Sequence, residues 1–249
     1  MLKLINSILK ALYPNRCIFC NAILDEGCVV CADCISEIYF TISNTCSRCG
    51  APLTESQSDA QCCKQCFSYT FSFNRNVSLG IFDGKLKTLI HQFKFNKRRC
   101  LSEIFADLFY RNYGKYIQEH ELLVAVPVTK KRFSERGFNQ SELIARKLSA
   151  KMEVRGARVI EYFNTLIKRR GNSIPQSETR TLEERIYGPK DNFFVNSRFI
   201  DVVNNRSVLL IDDVLTTGTT ASLCAEALKE AGAKLVNLLT IARSLRHTA

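Results

Sequence analysis

The stretch that most constrains the fold is residues 208–220, an apolar run followed by two aspartates and a loop of small, hydroxyl-bearing residues. The run at residues 208–211 suits a strand that is buried on both faces of a parallel sheet. Apolar residues then recur at helical spacing as far as Gly232, so a helix is predicted directly after the loop. This order of elements predicts an anion-binding turn at the end of a parallel strand.

Each part of residues 208–220 suggests a chemical role. The loop amides and the positive end of the following helix would hold a phosphate, and Gly218 would let the backbone approach it closely. Asp212 and Asp213 would accept hydrogen bonds from sugar hydroxyls, or face a Mg²⁺ ion shared with a pyrophosphate. The alternative is an ordinary strand–turn–helix unit with an acidic pair at its surface.

These thirteen residues resemble the phosphoribosyl pyrophosphate (PRPP) loop of type I phosphoribosyltransferases. The resemblance implies a catalytic role for Asp212 and Asp213, which would orient the ribose hydroxyls. It implies that Mg²⁺ accompanies PRPP. It also implies that the 5-phosphate is bound by Thr216, Thr217, Gly218, Thr219 and Thr220.

A second predicted strand, residues 122–128, leads through a basic, glycine-containing loop to another predicted helix. Ligands of open α/β sheets bind outside the carboxyl ends of the strands. This loop and the loop at residues 216–220, which we call the phosphate loop, should therefore converge there. Arg136 is the candidate for binding the pyrophosphate, because a guanidinium group can contact two oxygens at once. A contact between Arg136 and a nucleic-acid phosphate is the alternative.

Cysteines dominate the N-terminal part of the chain, where ten of the 12 lie between positions 17 and 66. Four Cys-x2-Cys pairs divide into two sets, each with the four thiolates of a closed structural Zn²⁺ site. No secretory signal precedes them, so we expect metal sites in a reducing compartment and not disulfides. Free cysteines, crossed pairing of the sets, and Cys62 in place of Cys63 are alternatives. The predicted zinc ligands are Cys17, Cys20, Cys31 and Cys34 in the first set, and Cys46, Cys49, Cys63 and Cys66 in the second.

The net charge of +11 is concentrated outside the cysteine-rich region. Residues 1–67 contain five basic and six acidic side chains, whereas the remainder contains 30 basic and 18 acidic ones, a net charge of +12. Such a surface favours an anionic partner. Single-stranded DNA is one candidate, with Phe95, Phe133 and Phe138 available for base stacking, and a merely solvated surface is the alternative. The predicted DNA-binding residues are Lys94, Lys97, Arg98, Arg99, Lys130, Lys131 and Arg132.

Composition divides the chain into three parts. Residues 1–14 are predicted to form an amphipathic helix that packs on the body or lies on a membrane surface. Residues 15–67 are predicted to form a double zinc-ribbon module. Residues 77–249 alternate buried strands with amphipathic helices, which predicts an α/β fold with a mostly parallel, doubly wound sheet. No apolar window is long enough to predict a transmembrane span.

The order of these parts narrows the resemblance. Two cysteine sets precede a domain that contains DGKLKTLIHQFKF (residues 83–95), RGFNQ (residues 136–140) and IDDVLTTGTT (residues 211–220). The chain thereby resembles the ComF family of competence proteins over nearly its whole length. The resemblance implies a cytoplasmic protein, near the inner face of the membrane, that handles single-stranded transforming DNA beside a helicase-like partner. It also implies a basic loop near residues 168–177 that closes over the site.

Two functions of different classes follow from these residues. One is a DNA-uptake protein that binds PRPP, whether for catalysis, as a sensor or as a relic. The other is a phosphoribosyltransferase of nucleotide or purine metabolism that acts on an unknown acceptor and has no role with DNA. The resemblance to the ComF family favours the first, and release of pyrophosphate from PRPP would show whether the chain is an enzyme.

Overall fold

The computed structural model describes residues 14–25, 29–38, 44–54, 62–154, 160–169 and 193–245. Two features predicted above lie largely outside these residues, namely the N-terminal helix at 1–14 and the basic loop at 168–177. Residues 181–186, for which the sequence also predicts a helix, lie wholly outside them. Cys28 also lies outside them.

Five parallel strands form the central sheet, in the order β1-β7-β6-β2-β3, and a separate pair, β4 and β5, is antiparallel. The first strand of the chain therefore lies at one edge of the sheet, beside the last strand. The strands are β1 Asn76–Ile81, β2 Leu122–Ala125, β3 Glu161–Tyr162, β4 Ile167–Arg169, β5 Phe193–Val195, β6 Ser207–Leu215 and β7 Leu235–Arg243.

Helices connect the parallel strands, and a short 3-10 turn, Ser197–Phe199, precedes the seventh of them. None of the helices within the described residues combines the length and the apolar character needed to cross a bilayer. The helices are α1 Ala32–Ser36, α2 Lys64–Ser68, α3 Gly84–Phe95, α4 Leu101–Gln118, α5 Lys130–Arg136, α6 Gln140–Val154, α7 Ile200–Val203 and α8 Thr219–Glu230.

Both faces of the sheet are covered, as the alternation of side chains along β6 shows. Leu209 and Ile211 are buried on one face, in a hydrophobic cluster with side chains of α3, α4 and α6. Val208 and Leu210 are buried on the opposite face, in a cluster with side chains of α8. Because successive strand residues point to opposite faces, a continuous apolar run is what two covered faces require. The mostly parallel, doubly wound sheet predicted from the sequence is confirmed.

The strand boundaries differ from the predicted ones where it matters for the site. Strand β2 ends at Ala125, before Pro127, which has no N–H group to donate to a neighbouring strand. Strand β6 instead continues to Leu215, paired along its whole length with β7. The two aspartates therefore lie inside β6, beyond the end of β2, where one side of the strand is open.

The two cysteine sets pack on opposite faces of the sheet. An isolated antiparallel bridge flanks the first Cys-x2-Cys turn of each set, Arg16 with Ile23 and Thr45 with Pro52. Cys17 and Cys34 of the first set belong to the cluster on the α3, α4 and α6 face. All four cysteines of the second set belong to the cluster on the α8 face. The chain thus sandwiches its sheet between helices and ribbons on both sides.

Candidate functional site

Asp212 and Asp213 project from the open side of β6 and have different partners. The Oδ1 atom of Asp212 accepts a hydrogen bond from Ser141 Oγ at 3.3 Å and from the Asp213 amide at 2.8 Å. Asp213 Oδ2 forms an ion pair with Lys94 Nζ at 2.8 Å, and both of these side chains are 15% exposed. The acidic pair is therefore held by α3 on one side and by the start of α6 on the other.

Asp212 changes its charge near neutral pH. Burial within the protein, followed by the negative charge of Asp213, raises the pKa of this carboxyl to about 7, against the opposing effect of the Asp213 amide, Lys94 and Ser141. Two adjacent carboxyl groups share one cavity here, so they resist being ionised together. A cation or a sugar hydroxyl in the cavity would favour the ionised form.

The phosphate loop turns at Gly218, which has φ = 79° and forms the N-cap of α8. That backbone conformation is strained for residues with a side chain. The hydroxyl groups of Thr217 and Thr219 lie 2.9 Å apart, and the Thr219 amide donates to Thr217 Oγ1 at 3.3 Å. Amides at the start of a helix have no acceptor within the helix, so this turn presents both hydroxyl and amide donors to an anion.

The segment RGFNQ positions Arg136 against the acidic pair. Helix α5 ends at Gly137, whose φ of 78° reverses the chain. Arg136 is buried, its Nη1 donates to Gln140 Oε1 at 3.0 Å, and the same nitrogen lies 3.9 Å from Asp213 Oδ2. Asn139 donates to the Val126 carbonyl at 3.0 Å and accepts from an amide at the start of α6. The segment therefore aims a fixed guanidinium group at the carboxyl end of the sheet.

One cavity of about 200 Å³ brings these groups together. It is lined by both aspartates, by Arg136 and by the whole phosphate loop, so the two loops converge as expected from the strand order. Four basic side chains line it, namely Lys94, Arg132, Arg136 and Arg169.

Two of these basic residues, Lys94 and Arg132, are among those predicted from the sequence to contact DNA, and both line the cavity. Arg169 was not predicted as a site residue. It lies on β4, and the sequence signalled it only as part of the basic run at residues 168–170.

The other predicted DNA-binding residues lie on the exposed surface beside the cavity. Lys97, Arg98, Arg99, Lys130 and Lys131 are all exposed. Arg99 donates to the Gly137 carbonyl at 3.1 Å, so the loop between α3 and α4 adjoins the turn after α5. The two basic segments thereby form one surface, which we call the basic rim.

Two of the three aromatic rings predicted for base stacking are exposed. Phe95 is 61% exposed and Phe133 is 50% exposed. The prediction was wrong for Phe138, which is 5% exposed and lies under the guanidinium of Arg99 at 5.0 Å. Its ring packs 5.7 Å from Phe93 in the core, so it supports the basic rim from below.

The cysteines form two separate clusters, with the four sulfur atoms of each predicted set within 4.8 Å of one another. The second cluster contains Cys63 and not Cys62, and the two sets do not cross. Backbone amides donate to the sulfurs of Cys17 and Cys46, at 3.4 and 3.3 Å. Four thiolates at this spacing are the donors of a closed tetrahedral zinc site, so both clusters fit structural zinc.

The second cluster is buried more completely than the first. All four of its cysteines are buried, whereas Cys20 of the first cluster is exposed. A hydrogen bond from the Cys49 thiol and bonds from backbone amides lower the pKa of Cys46 to about 3, although burial opposes this.

Comparisons with known proteins agree with this geometry. Residues 8–67 match the double zinc ribbon domain, and residues 136–248 match the phosphoribosyl transferase domain. The chain is 27% identical to the DNA utilization protein YhgH of Escherichia coli O6:H1 (strain CFT073), over 93% of this chain and 98% of that protein. It is 28% identical to the competence protein ComFC of Bacillus subtilis (strain 168), over 86% of this chain and 84% of that protein.

Among solved structures, the chain is similar to that of the allosteric regulatory enzyme of purine biosynthesis. The identity is 16% and the TM-score is 0.38, over 57% of this chain and 26% of that one. This likeness is too weak to support an argument. The two domain matches and the near full-length relatives lead to one identification: the chain belongs to the ComF family of competence and DNA utilization proteins, with a double zinc ribbon followed by a phosphoribosyltransferase domain.

Proposed function

We propose that this protein binds PRPP with Mg²⁺ in the cavity at the end of β6 and handles single-stranded DNA on the basic rim. The observation that carries the PRPP proposal is the convergence of an acidic pair, a phosphate loop and four basic side chains on one cavity. PRPP has a phosphate at one end of its ribose, a pyrophosphate at the other and hydroxyls between them. The cavity offers a complementary group for each.

The residues divide among these parts of PRPP by their chemistry. Thr216, Thr217, Gly218, Thr219 and Thr220 would bind the 5-phosphate, and Asp212 with Asp213 would accept hydrogen bonds from the ribose hydroxyls. Arg136, Lys94 and Arg169 would face the pyrophosphate, since guanidinium and ammonium groups suit phosphate oxygens. Carboxylate oxygens also fit Mg²⁺, and the ion pair between Asp213 and Lys94 would compete with that ion.

PRPP binding is tested by thermal unfolding with and without PRPP and Mg²⁺. Ligand that binds only the native state raises the unfolding temperature. The double variant Asp212→Asn, Asp213→Asn should lose this increase and remain folded, while the exposed control Asp201→Asn should keep it. An equal increase in the double variant would remove the aspartates from the site.

The DNA proposal rests on the exposure and continuity of the basic rim. Its lysines and arginines are joined through the contact of Arg99 with Gly137, and Phe95 and Phe133 expose their rings beside them. Phosphate contacts together with base stacking are the usual means of holding a single strand. The curated relatives are DNA utilization and competence proteins, which supports the same role.

Fluorescence anisotropy with a single-stranded oligonucleotide across a salt series tests this surface. The triple variant Lys97→Ala, Arg98→Ala, Arg99→Ala should bind more weakly, and its salt dependence should flatten by about 0.7 log units per lost contact. A matched control, Lys115→Ala with Lys229→Ala and Lys234→Ala, removes three exposed charges at the opposite end of the sheet and should change neither. An unchanged slope in the triple variant would show that the basic rim only interacts with solvent.

Whether the protein transfers ribose 5-phosphate is a separate part of the proposal. Release of pyrophosphate from PRPP by the purified chain, with and without single-stranded DNA, would reveal an enzyme. Transfer at the anomeric carbon would depend on positioning and charge stabilisation by the residues above. We further place the protein in the cytoplasm, at the inner face of the membrane beside a helicase-like partner, with residues 15–67 as its ribbon module and 77–249 as its PRPP domain.

A further inference from the structure

The segment that follows the second cysteine cluster carries an aromatic side chain that touches the phosphate loop. Phe71 and Phe73 follow the last cysteine of this cluster and are 4% and 1% exposed. Their rings are stacked, with centroids 4.7 Å apart and planes inclined by 14°. Both rings belong to the same hydrophobic cluster as the four cysteines Cys46, Cys49, Cys63 and Cys66.

Phe71 also touches the phosphate loop at the point where it turns. A Cβ atom placed on Gly218 would lie only 2.3 Å from Phe71 Cε1, so the ring occupies the space that any side chain at this position would need. The next residue, Ser72, donates its amide to Ser222 Oγ in the first turn of α8 at 3.0 Å. The segment after the second cluster therefore supports both the loop and the helix that would hold the 5-phosphate.

Two further contacts attach the second cluster to the same part of the sheet. Asn76 at the start of β1 donates its side-chain amide to the Cys49 carbonyl at 3.0 Å, and it accepts from Thr240 of β7 at 3.2 Å. Arg243 at the end of β7 is buried and donates to the carbonyls of Leu215 and Thr216, at 2.8 and 2.7 Å. Strand β7 thus holds Asn76 through Thr240 and fixes the entrance of the phosphate loop through Arg243.

The first cluster has no comparable contact among the described residues. It packs on the opposite face of the sheet, and its polar connection to the body is the ion pair of Glu37 with Lys85 at the start of α3. The two metal sites therefore differ in their relation to the cavity, although their ligands are the same.

From this asymmetry we infer that Phe71 is a positioning residue that couples the second zinc site to PRPP binding. Zinc closes the second ribbon, the ribbon holds Phe71 beneath Gly218, and Phe71 keeps the loop in its anion-binding shape. Because such coupling is reciprocal, bound PRPP should retain the second zinc ion, and loss of that ion should weaken PRPP binding. The inference rests on the proposed binding of PRPP in this cavity.

The test measures zinc release from the full chain by a zinc-selective chelator, with and without PRPP and Mg²⁺. Variants Cys20→Ser and Cys49→Ser each lack one site and assign the release phases to the two clusters. PRPP should slow release from the second site by roughly five- to tenfold and leave release from the first unchanged. Equal protection of both sites, or of neither, would overturn the coupling.

Calorimetric titration with PRPP separates this inference from the proposed function. If the unmodified chain binds no PRPP, the proposed function fails and the inference fails with it. If it binds PRPP and the Cys49→Ser variant binds equally well, the inference alone fails. Weaker binding in Cys49→Ser but not in Cys20→Ser supports both.

Variants of Phe71 show whether this ring is the connection. Phe71→Ala should weaken PRPP binding about tenfold and abolish the protection of zinc, while zinc content stays at the unmodified level. Phe71→Leu, which refills most of the space, should restore most of both effects. The control Phe109→Ala removes an equally buried ring from α4 on the other face and should alter stability but not PRPP affinity. If Phe71→Ala loses zinc outright, Phe71→Leu decides. With zinc retained, PRPP affinity and zinc protection that are both lowered slightly and together support coupling through this ring, and full affinity with no protection of zinc contradicts it.

Discussion

Replacing Asp212 by asparagine should make the protein more stable at pH 8, although it removes a group proposed to bind ligand. The folded-state pKa of Asp212 is raised from 3.8 to about 7, so the folded protein holds a proton that the unfolded chain releases. Stability from this group is complete below about pH 4 and falls as pH rises to 7. Above pH 7 the ionised carboxyl destabilises the fold, and asparagine has no such charge.

The magnitude follows from the pKa. A tenfold change in proton affinity is about 1.4 kcal/mol, so the rise from 3.8 to about 7 sets a ceiling of about 4 kcal/mol for the destabilisation above pH 7. The cavity admits water to this residue, and Asp213 shares the proton, so the effect falls below the ceiling. We expect Asp212→Asn to gain about 1 to 2 kcal/mol at pH 8 and clearly less at pH 5.

Urea unfolding of the unmodified chain and of Asp212→Asn at pH 5 and pH 8, without Mg²⁺ or PRPP, measures this difference. The control Asp201→Asn changes an exposed carboxyl on α7 and should show no gain that depends on pH. A variant that is less stable than the unmodified chain at pH 8, or that gains the same at both pH values, would refute the reasoning. Asp212 would then be ionised in the folded protein with no loss in the free energy of unfolding.

Three more predictions follow from single contacts. Cys17→Ser and Cys46→Ser should each lower the zinc content from about two ions per chain to about one, by elemental analysis after reducing purification. Gly218→Ala should cost about 2 to 4 kcal/mol in the free energy of unfolding, because its φ of 79° and the nearby Phe71 ring both oppose a side chain. Lys94→Ala should weaken PRPP binding by about 1 to 3 kcal/mol in calorimetric titration, since it removes an ammonium group that is proposed to face the pyrophosphate. An unchanged zinc content, free energy of unfolding or PRPP affinity would contradict the role given to the residue in question.

Periodicity and short motifs were sufficient for the sheet and for the convergence of two loops. The apolar runs of β6 and β7 stand out because both faces of these strands are buried, and their carboxyl ends share one edge. The sequence did not predict where β6 ends. Its pairing with β7 continues through Asp212 and Val214, and only the neighbouring strand decides that.

The sequence did not predict the surroundings of Lys94 and Phe138, and in both cases the reason is a long-range contact. Lys94 lies in a basic run that reads as exposed surface, and only the fold brings its ammonium group to Asp213, far along the chain. Phe138 stands in a polar, basic segment, yet it packs on Phe93 of another helix. Local composition predicts the average exposure of such a segment and not the direction of one side chain.

The position of β1 has a consequence for how this protein reaches its native state. Its pairing partner is β7, and the hydrogen bond between Ser78 and Thr240 spans 162 positions of the chain. Contacts of such high sequence separation form late and slow the folding of a domain, because a long loop must close before they contribute. During synthesis the second ribbon and β1 emerge well before the strand that anchors them both. A nascent chain that stops short of Leu235 would therefore leave β1 as an unpaired apolar edge, which is a site for aggregation.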